Sequence, residues 1–119
     1  MYIRVFTLCD GAFNYNGKLT IVGTVDHIKV PKVPVVASIG LAVKITNVGG
    51  GGEKKKISIN FRTAAGESMA PEIVFEAETK EQLIIAGNID GLNIKELGDC
   101  VVEMKIGNNE FLLPFKVVK

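Results

Sequence analysis

The chain has 119 residues, 47% of them hydrophobic, and a formal charge of +1. That length suits a single domain, 1–119, able to bury about two thirds of its unfolded surface, so its core needs neither metal nor disulfide. The near-neutral balance supplies no long-range field for nucleic acid or an acidic membrane surface, and no run of about 18 apolar residues exists to span a bilayer.

Tyr2 to Cys9 has apolar residues on both alternating faces, which predicts a strand covered on both sides or lying at a subunit contact. Asp10-Gly11 is expected to end it, with turn chemistry following from Asn14 to Gly17. In Lys18 to Val30, Leu19, Ile21 and Val25 share one parity of the two-residue repeat, whereas Ile28 and Val30 have the other. An uncompensated slip turns half a strand inside out, so a bulge or sharp bend is predicted at Asp26 and His27, eased by Gly23. Pro31-Lys32-Val33-Pro34 reads as an extended crossover between sheets, and a PxxP ligand is the sharper alternative.

Ile39 to Thr46 and Ile57 to Arg62 alternate cleanly and predict two half-buried strands. Gly49 to Glu53 between them reads as a hairpin tip. Ala64-Ala65-Gly66 is a further turn, and Glu72 to Thr79 places Ile73, Phe75 and Ala77 inward and its glutamates outward. Leu83 to Ile89 is expected to stop at Asp90-Gly91, and Asn93 to Leu97 to form at most one helical turn capped by Gly98. Val102 to Ile106 and Phe111 to Val117 flank Gly107-Asn108-Asn109 as a closing hairpin, with Pro114 marking an edge or a bulge.

Motifs that carry chemistry are sparse. The glycines at 49–52 run into Glu53 and a β pattern, without the Gly-Lys-Ser/Thr and helix of a phosphate loop. Lys54, Lys55 and Lys56 have no arginine or aromatic platform beside them and read as a solvated strand entry. Cys9 and Cys100 sit inside apolar runs and are expected to be buried free thiols. Asp26-His27 is the one histidine–carboxylate neighbour pair, but adjacent strand residues point to opposite faces unless a bulge reorients them. Asp10, Asp26, Asp90 and Asp99 fall at predicted strand ends, each alone, whereas calcium takes six to eight oxygens from grouped carboxylates. Phe13 and Tyr15, two residues apart in a predicted turn, are expected to pack over the end of the sandwich, with an exposed anchor for a partner or a subunit contact as the sharper alternative.

Three stretches, Leu8-Cys9-Asp10-Gly11-Ala12, Asn16 to Thr24, and Leu97-Gly98-Asp99-Cys100, resemble a family of small uncharacterised bacterial β-sandwich proteins in their order and spacing. In that family a cysteine–aspartate pair ends the first strand and a Gly-Lys-Leu strand ending in glycine follows. The resemblance covers nearly the whole chain and implies the fold; it brings no activity and no site residue.

The expected fold is therefore all-β: a single antiparallel β-sandwich, immunoglobulin-like or C2-like, of seven to nine strands. The expected function is a non-enzymatic, cytoplasmic module without cofactor that binds a protein or forms a homo-oligomer, with no nucleic-acid or membrane partner. Its candidate interface or site residues are Phe13, Tyr15, Asp26 and His27. The alternative is a small metal-binding or hydrolytic domain built on His27, Cys9 and the strand-end aspartates. The cytoplasmic expectation rests on the thiols and on the start, Met1 to Phe6, which lacks a signal peptide's pattern.

Overall fold

A computed structural model describes residues 1–46, 54–78 and 81–119. Among these, nine strands and no helix are present: β1 Tyr2–Tyr15, β2 Lys18–Val25, β3 His27–Lys29, β4 Val35–Thr46, β5 Lys54–Thr63, β6 Ile73–Glu78, β7 Gln82–Ile94, β8 Gly98–Ile106 and β9 Asn109–Val118. They form a four-stranded sheet, β2-β1-β4-β7, and a five-stranded sheet, β3-β9-β8-β5-β6. The all-β, two-sheet organisation expected of a β-sandwich is thus present. The chain divides into two compact units, one of Met1–Val25, Ile39–Lys55 and Ala77–Ile89, the other of Asp26–Ser38, Lys56–Glu76 and Asp90–Lys119.

The parity slip at Asp26 and His27 is a change of sheet. β2 pairs with β1 as far as Val25; the chain bends at Asp26, and His27 to Lys29 pair with Lys116 to Val118 of β9. This last pairing is parallel, the exception among otherwise antiparallel pairings of β1 with β2 and β4, and of β8 with β5 and β9. Pro31 to Pro34 then leads from the five-stranded sheet to β4 in the other, as its missing donors suggest.

Both Asp-Gly dipeptides lie inside strands, which corrects the expected strand ends. β1 runs through Asp10-Gly11 to Tyr15, and β7 runs through Asp90-Gly91 to Ile94. The positions expected to form a helical turn therefore begin as strand: Asn93 and Ile94 complete β7, where Asn93 N–H donates to Met69 O at 2.8 Å. Tertiary pairing has overridden turn propensity here. The half-buried expectation for β4 and β5 also needs correction, because Gly40 to Val43 and Ile57 to Phe61 are buried without alternation. Both strands are interior to their sheets, and Ser58 and Asn60 of β5 are buried polar residues. The expected tip at Gly49 to Glu53, with the glycines of the phosphate-loop reading, lies outside the described residues, as does Thr79.

In the first unit, Cys9, Ala12 and Ala42 form a buried cluster with Val5, Leu19, Ile21 and Ala86 packed against it. Cys9 and Ala12 are three residues apart, and the β1–β2 register runs unshifted between them. Gly23, across from Asp10 in the β1–β2 register, has φ +63°, and a side chain there meets Asp10 Oδ2. Gly40, paired with Cys9, brings its backbone so near that a Cβ falls 2.7 Å from Cys9 O. The edge strands β2 and β7 approach one another around this cluster: Gln82 Nε2 donates to Gly17 O at 3.3 Å, and Ala86 of β7 packs inside. Leu8 and Cys9 are neighbours and both fully buried, so the middle of β1 is covered on both faces, as its two-sided pattern predicts.

The second unit has a core of large side chains. Ile57, Ile59 and Phe61 of β5, Val102, Met104 and Ile106 of β8, and Phe115 and Val117 of β9 are all at most 3% exposed. Phe61 meets Phe115 edge to face with ring centroids 6.1 Å apart. The closing hairpin turns at Gly107-Asn108, with Ile106 paired to Asn109. Met69 N–H donates to Phe61 O at 2.8 Å, tying the segment after the Ala64–Gly66 turn to β5 and burying Met69.

Candidate functional site

Two features stand out, one in each unit. The first is the β1–β2 hairpin. Asn16 and Gly17 both have positive φ, 51° and 76°, the geometry a two-residue primed turn requires. Asn14 Oδ1 accepts from Gly17 N–H at 3.2 Å and holds the turn closed. Extending β1 to Tyr15 moves Phe13 and Tyr15 out of the expected turn and onto a strand, where both project from the same face. Their cross-strand partners are Thr20 and Lys18, and Gly11, next on that face, pairs with Val22. Phe13 is 60% exposed, Tyr15 71% and Val22 55%. The hairpin thus presents two aromatic rings and a valine to solvent on a strand pair at the sheet's edge. β2 itself, Lys-Leu-Thr-Ile-Val-Gly-Thr-Val, has one charge and no proline along its length.

The second is a cavity of about 550 Å³ in the other unit, lined by Asp26, His27, Asp99, Cys100, Pro114, Phe115, Lys116 and Val118. The parallel pairing creates it, placing His27 beside Lys116, while Asp99 faces Lys116 from β8. The bend does bring Asp26 and His27 together: His27 Nδ1 donates to Asp26 Oδ1 at 2.8 Å, leaving Nε2 free of that bond. This hydrogen bond holds the Asp26 carboxyl below the ordinary carboxylate range, helped by the Lys116 charge. Asp26 is almost fully solvated and His27 half exposed, so the pair sits at the mouth of the cavity.

The other residues of the hydrolytic reading do not converge there. Cys9 lies in the Cys9–Ala12–Ala42 cluster, Asp10 covers Gly23, and Asp90 is inside β7; of the four aspartates, Asp26 and Asp99 alone line the cavity. Cys100 lines it instead, although burial together with the charges of Asp99 and Glu96 pushes its thiol up. Burial also raises the Cys9 thiol. Both cysteines are free and buried, as expected. Among the described residues no three His, Cys, Asp or Glu side chains stand together to hold a metal ion. The sequence reading missed Lys116 as a neighbour of His27 and Val22 as part of the hairpin face. A parallel pairing across nearly ninety residues leaves no local signal, whereas the strand parity of Val22 was readable once Asn16-Gly17 was taken as the turn.

The family model that matches residues 4–118 is that of DUF6941, a family of unknown function. No curated protein matches. Among solved structures, the chain is similar to Pseudomonas fluorescens alkylpurine DNA glycosylase AlkC bound to DNA containing an abasic site analog, with a TM-score of 0.51 and 13% identity. The likeness covers 79% of this chain but 28% of that one, so it bears on fold alone. Among the described residues no helix is long and apolar enough to cross a membrane.

Proposed function

Given that the chain belongs to this family of unknown function, which lends it no activity, we propose from its own surface that it is a non-enzymatic module acting by protein contact. The contact we assign is the hairpin face, and its occupant a second copy of the chain. The exposure of Phe13 and Tyr15 beside Val22 carries this reading, because aromatic side chains are the usual anchors of protein interfaces. Two further observations support self-association. A formal charge of +1 gives two copies little reason to repel one another. An eight-residue edge strand with one charge and no proline has few of the features that keep edges apart. The buried free thiols support a reducing compartment, the cytoplasm.

The hydrolytic alternative draws less support. His27 and Asp26 form a pair, but burial, with the charges of Asp99 and Glu96, pushes the Cys100 thiol beside them up and disfavours the thiolate, which is the nucleophile. Sedimentation equilibrium tests the proposal. The wild-type mass should exceed the 12.8 kDa of one chain, and joint replacement of Phe13 and Tyr15 by serine should return it to that value. A wild-type protein that stays monomeric up to high micromolar concentration overturns it.

A further inference from the structure

The cavity beside His27 adjoins a second, separate feature of β9. Lys116 N–H donates to Asp26 O at 3.2 Å, and Val118 O accepts from Val30 N–H at 2.8 Å, so the main-chain groups of Lys116 and Val118 point toward β3. By the two-residue repeat those of Leu112 and Pro114 point the same way. β3, however, pairs with β9 over Lys116 to Val118 alone, since the preceding residues Lys18 to Val25 belong to the other sheet. Among the described residues, Leu112 and Pro114 therefore have β8 on one side and no strand on the other. Pro114 at this edge and His27 at the start of β3 both line the cavity.

We propose that the open edge of β9 at Leu112 to Pro114, with the adjoining cavity, takes a short extended peptide bearing a basic side chain. An extended main chain is the occupant that satisfies alternating donors and acceptors at strand spacing. Pro114 lacks an N–H, so the edge offers the donor and acceptor of Leu112 and the carbonyl of Pro114. That limits the guest to a short segment and guards against a long second sheet. Leu112 is 57% exposed and supplies apolar contact on the outer face. Charge selects the side chain that enters the cavity. The lining holds two carboxylates, Asp26 and Asp99, against one lysine, Lys116, and neither aspartate forms a salt bridge to that lysine. Pro114, Phe115 and Val118 give the aliphatic stem of a lysine or arginine apolar walls to lie along. A cavity of about 550 Å³ is within the range of ligand sites and accommodates such a side chain with ordered water. The site shares no residue with the hairpin face and stands or falls separately from it.

The test uses the full chain and a fluorescein-labelled decapeptide of alternating valine and lysine, acetylated and amidated at its ends, followed by anisotropy. The lysine peptide should bind, with a backbone N-methylated version at least about tenfold weaker through lost main-chain hydrogen bonds. A valine–glutamate version should also be weaker, and Asp26→Asn and Asp99→Asn should each cost about two- to fivefold. Leu112→Pro should abolish binding; because that variant also risks the fold, amide exchange at Leu112 in the wild-type protein is followed in parallel and should slow on peptide addition. The double variant at Phe13 and Tyr15 should bind the peptide as the wild type does. Absence of binding, equal binding of the N-methylated or the glutamate peptide, or a Leu112 amide indifferent to the peptide overturns the proposal.

Discussion

The small-residue cluster around Cys9 and the aromatic core around Phe61 solve the same problem in opposite ways. In the first, Ala12, Ala42 and Gly40 let backbones approach until no space is left, and Gly23 gives up its side-chain position to Asp10. In the second, Phe61, Phe115 and Met104 fill the space between strands with bulk. The first is therefore sensitive to added atoms and the second to removed ones. The difference also gives the Cys-Asp and Lys-Leu…Gly stretches a physical meaning: Cys9 is matched to Gly40, and Asp10 to Gly23.

This contrast can be broken by substitution. The largest effect should come from Phe61→Ala, which leaves a cavity under Phe115 and should cost about 3–5 kcal/mol by urea unfolding. Gly40→Ala should cost about 1–3 kcal/mol despite adding one carbon, because the atom it meets is the Cys9 carbonyl rather than a yielding side-chain end. If Gly40→Ala is neutral, the close-approach account of the first cluster is wrong. Gly23→Ala should cost about 1–2 kcal/mol from its left-handed backbone alone, plus the encounter with Asp10. Asp10→Ala should rescue the second part, so a double-mutant cycle should show coupling of about 1 kcal/mol, and strict additivity would contradict it.

Smaller effects follow pH, and they too differ between regions. The buried thiols have raised folded pKa values, so their contribution to stability is complete below the ordinary thiol range and is lost as pH rises through the raised values. Cys9→Ala and Cys100→Ala should each flatten the alkaline fall in thermal stability. Asp26 behaves oppositely: its folded pKa is depressed, so its contribution is present above the ordinary carboxylate range and disappears as pH falls through the lowered value. An NMR titration of the Asp26 carboxyl should show that value, and His27→Ala should return it toward the ordinary range. This is the smallest of the effects, since the pair is solvated.

Much of the fold was legible because strand parity and turn chemistry are local. The slip between Val25 and Ile28 located the change of sheet, and Gly107-Asn108 located the closing hairpin. What failed to show was set by distant partners. Asp10-Gly11 and Asp90-Gly91 look like turns, yet in β1 the strand continues because Asp10 finds its place over Gly23 on β2. Ser58 and Asn60 are buried because their face of β5 is covered too, and alternation along β5 does not encode what covers it. The candidate sites divide likewise. Phe13 and Tyr15 stand out in the sequence as a pair, but the expected packing over the end of the sandwich gives way to exposure on the hairpin, whereas the Asp26–His27 pair follows from the bend. Lys116, Cys100 and Pro114 join His27 through a parallel pairing that no short-range pattern announces.

The central claim is that the hairpin face joins two copies of the chain. Sedimentation equilibrium of the wild type against the Phe13→Ser, Tyr15→Ser double variant tests it most directly, with circular dichroism confirming that both are folded. The account predicts a wild-type mass near twice 12.8 kDa and a variant mass near 12.8 kDa. Equal masses for the two folded proteins, whether monomeric or associated, would contradict it.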